Sequence, residues 1–202
     1  MNSSRRVGLF GGTFDPIHNA HLEVAKNAIE QVNLDEVIFI PSKNPPHKNS
    51  RGVLDAVLRY EMVGLAVEDY EVLEVSGVEI EREGPSYTID TIKKMKEDLP
   101  EIVFIVGADN LINIDTWKQP EELLDSCPFV IAPRGGYKKS DFHEEIFQGA
   151  DLRFLDMDEI SISSTEIRER VADGRPIGEM VPTVVLDFIM QKGLYKAVPE
   201  GV

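Results

Sequence analysis

The stretch Gly11-Gly12-Thr13-Phe14-Asp15-Pro16-Ile17-His18-Asn19-Ala20-His21 sets two glycines and then two histidines, three residues apart, in close succession. The glycines let the backbone turn sharply and come close to a ligand. The histidines stand at the start of a helix-like run, His21 to Ile29, and residues at i and i+3 share a helix face, so both imidazoles can address one ligand. A helix N-terminus adds free backbone N–H groups and the positive end of the helix dipole, both of which favour anions. The apolar run Val7-Gly8-Leu9-Phe10 just before it reads as a buried first strand. Alone, a Gly-Gly pair is an ordinary turn and a histidine pair is ordinary surface. Strand, turn, histidines and helix start together read as a phosphate site.

A second stretch with chemical content is Ile162-Ser163-Ser164-Thr165-Glu166-Ile167-Arg168. Ser163 and Glu166 have capping-box spacing, in which Ser163 caps and Glu166 returns a hydrogen bond. Ser164 and Thr165 fall where backbone N–H groups are unpaired, and Arg168 follows one turn later. Pro45-Pro46-His47-Lys48 lies after a strand-like run, and its prolines limit the entropy lost on placing Lys48. Gly84-Pro85-Ser86-Tyr87-Thr88 opens a helix with Ser86 as cap. Asp109 follows the most apolar strand, where its carboxylate can accept from a ribose. Trp117, the only tryptophan, has polar neighbours in Asp115, Thr116 and Lys118, which points to partial exposure.

The first stretch resembles the GxFxPxHxGH signature of the nucleotidyltransferase superfamily, and most closely the GGTFDPxHxGH turn of the bacterial nicotinate-mononucleotide adenylyltransferases; Ala20 stands where that family carries glycine. Ile162 to Arg168 resembles the family's ISSTxIR segment, and the resemblance runs from Val7 to about Tyr195. It implies transfer of adenylyl from ATP to nicotinate mononucleotide, with release of pyrophosphate, by direct in-line attack of the acceptor phosphate. Such a reaction rests on positioning and charge stabilisation. The resemblance assigns His18, His21, Lys48 and Arg168 to catalysis, with His47 a lesser candidate. Those two histidines, Arg168, the turn Gly11, Gly12, Thr13 and Phe14, and the hydroxyl residues Ser163, Ser164 and Thr165 are assigned to ATP. The acceptor falls to Lys48, to Tyr87 and Thr88 around its carboxylate, to Asp109, and to Trp117 stacked on its pyridine ring; Arg134, before Gly135-Gly136, is a looser match as a phosphate ligand. Magnesium is expected to ride on ATP and pyrophosphate, because the sequence offers no carboxylate cage. Pantetheine-phosphate adenylyltransferase, a cytidylyltransferase and a non-catalytic nucleotide sensor are the alternatives. The first does not account together for the Ser86-Tyr87-Thr88 segment, Trp117 and the Pro45–Lys48 loop.

These residues require a scaffold, and the pattern supplies one. Apolar strand-like runs occur at 7–10, 37–41, 102–106, 129–132 and 152–155, with extended stretches around Gly77 within 70–81. Helical spacing occupies 55–67, 86–99, 163–174 and 184–192. Continuous apolar strands alternating with helices predict an α/β fold, a Rossmann-like doubly wound parallel sheet with helices on both faces. Ligands in such sheets bind beyond the carboxyl ends of the strands. One nucleotidyltransferase domain over 1–202 is expected, its C-terminal helices beginning at about 163.

Composition narrows the partners. The 202 residues carry a net charge of -15, from 36 acidic and 21 basic side chains, which argues against nucleic acid as a partner. No run is long enough to span a membrane, and the apolar stretch after Arg5-Arg6 is too short for a signal segment, so a cytoplasmic enzyme with no membrane partner is expected. A homo-oligomer stays open. Cys127, the single cysteine, precludes an internal disulfide and reads as a buried structural thiol.

Overall fold

The computed structural model describes residues 5–44, 52–142 and 145–196. Six strands form one parallel sheet: β1 (Arg6–Gly12), β2 (Glu36–Pro41), β3 (Leu73–Val75), β4 (Glu101–Gly107), β5 (Phe129–Ala132) and β6 (Leu152–Phe154). Their order is β3-β2-β1-β4-β5-β6. The chain winds outward from β1 through β2 to β3, then crosses back and winds the other way from β4. The strand order therefore reverses between β1 and β4, which opens a crevice at their carboxyl ends. Gly11-Gly12 closes β1 and Gly107 closes β4, so both flank that crevice.

The helices are α1 (Asn19–Val32), α2 (Ala56–Val67), α3 (Val78–Glu81), α4 (Thr88–Met95), α5 (Ala108–Leu111), α6 (Pro120–Ser126), α7 (Ser164–Ala172) and α8 (Thr183–Lys192). The period of two along β4 divides its apolar run between the faces. Val103 and Ile105 join the cluster under α1, α2, α7 and α8, while Ile102, Phe104 and Val106 join the cluster under α4, α5 and α6. Burial on both sides is what makes the strand apolar throughout. Cys127 is buried in the second cluster, and burial pushes its thiol up to about 11, as suits a structural residue.

The structure differs from the sequence reading in five places. Only Leu73–Val75 of the 70–81 stretch is extended. Val78–Glu81 is one helical turn, closed by hydrogen bonds from Ile80 and Glu81 N–H to the Gly77 carbonyl. The helix expected from Ser86 begins at Thr88, because the Ser86 hydroxyl accepts from Lys43 and Asn44 N–H instead of capping the helix. Helix α1 begins at Asn19, which makes His18 its N-cap and puts His21 in its first turn. In α7, Ser163 caps Glu166 N–H as expected, but the Glu166 carboxylate turns to Arg170 rather than back to Ser163. Helix α6 has no counterpart in the sequence reading, although Pro120 at its first position and Glu121-Glu122 behind it are start signals.

Candidate functional site

A cavity of about 680 Å³ opens at the reversal point. Gly11, Gly12, Thr13, Phe14, His18 and His21 line it from the β1 side, and Ser163, Ser164, Thr165 and Arg168 from α7. Tyr87, Thr88, Asp109, Trp117 and Arg134 line the opposite part. Residues far apart in sequence thus meet in one space. Lys48 and its neighbour His47 lie outside the described residues.

The turn after β1 is tightly built. A Cβ on Gly12 would lie 2.6 Å from the Phe14 ring, so the strand end and the turn can pack only with glycine there. Phe14 is buried and stands edge-on to His21, at 5.0 Å between centroids, and to Phe10 at 5.7 Å. Its ring serves as a wall that fixes the His21 imidazole. The His18 N–H donates to His21 Nδ1 at 3.2 Å, which leaves Nε2 as the protonated nitrogen of a neutral His21. The two imidazoles stack, with centroids 3.7 Å apart and planes 21° apart. His18 is 1% exposed, and neither of its ring nitrogens has a hydrogen-bond partner among the described residues. Burial, and next the Arg134 charge, lower its pKa to about 3, so it is neutral at physiological pH. A buried donor and acceptor left unpaired cost free energy unless a ligand takes them up. Ala20 is buried one residue before His21 and lines the same cavity.

At the α7 end two of the three expected hydroxyls are committed to the fold. Ser163 Oγ caps the helix, and Ser164 Oγ donates to the Pro16 carbonyl at 2.9 Å. The first-turn backbone N–H groups, Thr165 and Arg168 are what the helix presents to an anion. Arg168 donates to the Asp15 carbonyl at 2.7 Å and to Thr165 Oγ1 at 3.3 Å, which holds its guanidinium at the cavity edge. Arg134 donates to the Ile162 carbonyl at 3.3 Å and lies 3.6 Å from the Asp109 carboxylate. Gly107 makes room for that carboxylate, since a Cβ there would sit 2.6 Å from Asp109 Oδ1. Trp117 is half-buried, in keeping with its polar neighbours. Lys118 beside it pairs with Asp90 at 2.9 Å and lies over the Tyr87 ring at 4.7 Å, linking the tryptophan loop to α4.

Three supports of this site escape the sequence reading. Arg59 is 1% exposed and donates to the carbonyls of Thr13, of Ser42 at 2.6 Å and of Leu54 at 2.9 Å, so one guanidinium ties the turns after β1 and β2 together. Its signal is a charge among the apolar positions of α2, three residues before Met62 and four before Val63. Asp15 is buried and accepts from the Tyr195 hydroxyl at 2.8 Å and, at 3.4 Å, from Leu54 N–H. Glu79 is buried in the cavity wall next to Ser86 and Thr91. Among the described residues, no group of three or more His, Cys, Asp or Glu is placed to hold a metal ion, and no helix is long and apolar enough to cross a membrane.

The model of the cytidylyltransferase-like family matches residues 9–170, which spans both the glycine-histidine turn and the start of α7. A relative from Thermoanaerobacter, named "Probable nicotinate-nucleotide adenylyltransferase", is 44% identical over all of this chain and 99% of its own. One of the same name from Clostridium acetobutylicum is 40% identical over 95% of this chain and 99% of its own. The chain belongs to the nicotinate-nucleotide adenylyltransferases of the cytidylyltransferase-like family. The fold is shared with the Plasmodium falciparum nicotinic acid mononucleotide adenylyltransferase complexed with NaAD, at a TM-score of 0.76 and 22% identity, covering 95% of this chain and 97% of that one. Nucleotidyltransferases of this family are enzymes, and the crevice at the strand reversal is where the family members' two signatures converge in this chain.

Proposed function

We propose that this protein transfers the adenylyl group of ATP to nicotinate mononucleotide, forming nicotinate adenine dinucleotide and pyrophosphate. An oxygen of the acceptor phosphate attacks the α-phosphorus of ATP, the bond from that phosphorus to the bridging oxygen breaks, and pyrophosphate leaves with the electron pair. A phosphate dianion is already a competent nucleophile, so no general base is required. The chain supplies position and charge. His21 offers Nε2–H and the neutral His18 offers one ring N–H to the transferring phosphate. Arg168 and the first turn of α7 receive the β- and γ-phosphates. The N-terminal turn of α4 takes the pyridine carboxylate, and Trp117 takes the ring face. Magnesium enters with ATP as part of the substrate. The whole chain acts as one nucleotidyltransferase domain, in the cytoplasm where these nucleotides are dissolved.

The observation that carries this reading is the buried His18 imidazole, without a hydrogen-bond partner among the described residues, stacked on His21 in a cavity that residues of α7 and α4 also line. The test is pyrophosphate release from MgATP with nicotinate mononucleotide, nicotinamide mononucleotide, 4′-phosphopantetheine and no acceptor. Release with the first far above the rest is the expected result. Preference for phosphopantetheine, or no release with any acceptor, overturns it.

A further inference from the structure

Glu79 is a buried acid in the cavity wall for which the reaction above has no use. It sits on α3, is 7% exposed, and accepts from Thr91 Oγ1 at 2.6 Å. The Ser86 hydroxyl is its second hydrogen-bonding neighbour. Ser86 Oγ already accepts from Lys43 N–H at 3.0 Å and Asn44 N–H at 3.2 Å, so both its lone pairs are used and its proton must go elsewhere. Glu79 is the acceptor in reach. The Ser86 N–H in turn donates to the Asn44 carbonyl at 3.0 Å, and Asn44 Nδ2 donates to the Gly84 carbonyl at 3.1 Å. One carboxylate thus orients two hydroxyls, and one of those hydroxyls clamps the segment after β2 to the segment that leads into α4.

We propose that Glu79 is a positioning residue for the acceptor: by orienting Ser86 and Thr91 it sets the N-terminal turn of α4, with Tyr87 and Thr88, against the segment after β2, and so holds the backbone N–H groups that receive the acceptor's anionic group. The proposal rests on the functional reading for where the acceptor lies. Burial pushes the Glu79 carboxyl up, and the two hydroxyls oppose that shift by favouring its charged form.

The test begins by finding which mononucleotide or phosphopantetheine acceptor the parent enzyme uses best, and titrates that one in every variant. Failure of the nicotinate reading therefore shows in the parent, and the Glu79 question stays answerable. Glu79→Gln keeps the shape but replaces one acceptor oxygen by an NH₂ donor, so a single carbonyl oxygen is left for two hydroxyl donors. It is expected to raise KM for the acceptor by at least about fivefold and to leave KM for ATP within about twofold. Ser86→Ala is expected to do the same, and the double variant to add less than about twofold to either, because both break one unit. Thr91→Val, which loses the donor, raises acceptor KM, and Thr91→Ser, which keeps it, restores the parental value; this pair needs no change at Glu79. Equal rises in both KM values, unchanged KM values, full additivity of Glu79→Gln with Ser86→Ala, or Thr91→Val matching Thr91→Ser would each overturn the proposal.

Discussion

His18 combines full burial, two nitrogens unpaired among the described residues and a pKa lowered to about 3, each a cost to folding that a binding event can recover. Removal of one preorganised donor to developing charge typically costs roughly 10²–10³ in rate. His18→Ala is therefore expected to lower kcat by about that factor while the far-UV circular dichroism stays parental; near-parental turnover would make the imidazole a packing residue. Stability against pH gives an independent reading. The unfolded imidazole binds its proton near 6.5 and the folded one only near 3. Between those values the unfolded chain holds more protons, so this group's contribution is complete above pH 6.5 and is lost as the pH falls toward 3. The slope approaches about 1.4 kcal/mol per pH unit within that window. His18→Asn cannot titrate, and urea midpoints measured from pH 7 to pH 4 are expected to fall less steeply for it than for the parent. Parallel slopes would contradict the burial of a neutral imidazole.

Two elements carry their own predictions. The N-terminal turn of α4 supplies free N–H donors and a positive dipole end, which favour an anion by about 0.3–1 kcal/mol when exposed and up to ~2 kcal/mol when partly buried. Charge-assisted hydrogen bonds add to this. Sequence order puts the nearest acids at Glu83 and Asp90, but the fold brings Glu79 nearer to the cavity. The Thr91 and Ser86 hydroxyls already engage Glu79, and Lys118 holds Asp90, so both acids near this turn have partners of their own. A kcat/KM at least about tenfold higher for nicotinate than for nicotinamide mononucleotide follows, since 1.36 kcal/mol is tenfold. Equal values would remove the helix-terminus argument. The second element is α2, which contributes through Arg59. Burial lowers the pKa of that guanidinium, and three carbonyls hold it. Arg59→Met would strand those acceptors at about 1–3 kcal/mol each where water cannot reach them. A loss of at least about 3 kcal/mol in urea unfolding is expected, and a loss under about 1 kcal/mol would show that water replaces the side chain.

At the scale of the molecule, the last described residues close on the first motif. Tyr195 donates to Asp15 across 180 residues, Arg168 to the Asp15 carbonyl across 153, and Ser164 to the Pro16 carbonyl across 148. The phosphate end of the cavity is thus completed only when the C-terminal helices dock. Tyr195→Phe takes one donor from a buried carboxylate. It is expected to cost about 1–3 kcal/mol of stability and to raise KM for ATP more than KM for the acceptor. An unchanged urea midpoint would mean that the closure does not depend on this bond. The net charge of -15 repels nucleotides at long range, but the Debye length is about 8 Å at physiological ionic strength. Inside the cavity the nearer charges of Arg134 and Arg168 act at shorter distances than that.

Much of this architecture is legible in the chain because the physics behind it is local. Apolar runs such as Ile102–Val106 announce strands buried on both faces, Ser163 announces a helix start, and Gly193 with φ 64° marks a helix end. The glycine-histidine turn and the stretch around Arg168 are contiguous, so their chemistry can be read in order. The supports of the site are not contiguous, and there linear reading fails. Arg59 looks like a surface charge until three carbonyls from separate turns converge on it. Asp15 and Tyr195 stand 180 residues apart until α8 docks. Ser86 has the residue type of a helix cap, yet two N–H groups from the segment after β2 reach its oxygen first. The alternation of Val78 and Ile80 fits a strand, yet the Gly77 carbonyl collects the N–H groups of Ile80 and Glu81 into a turn and carries Glu79 to the cavity. Side-chain periodicity reports which faces are buried. Which polar groups meet inside depends on contacts between segments distant in sequence, and these exist only once the sheet has reversed its winding and brought them together.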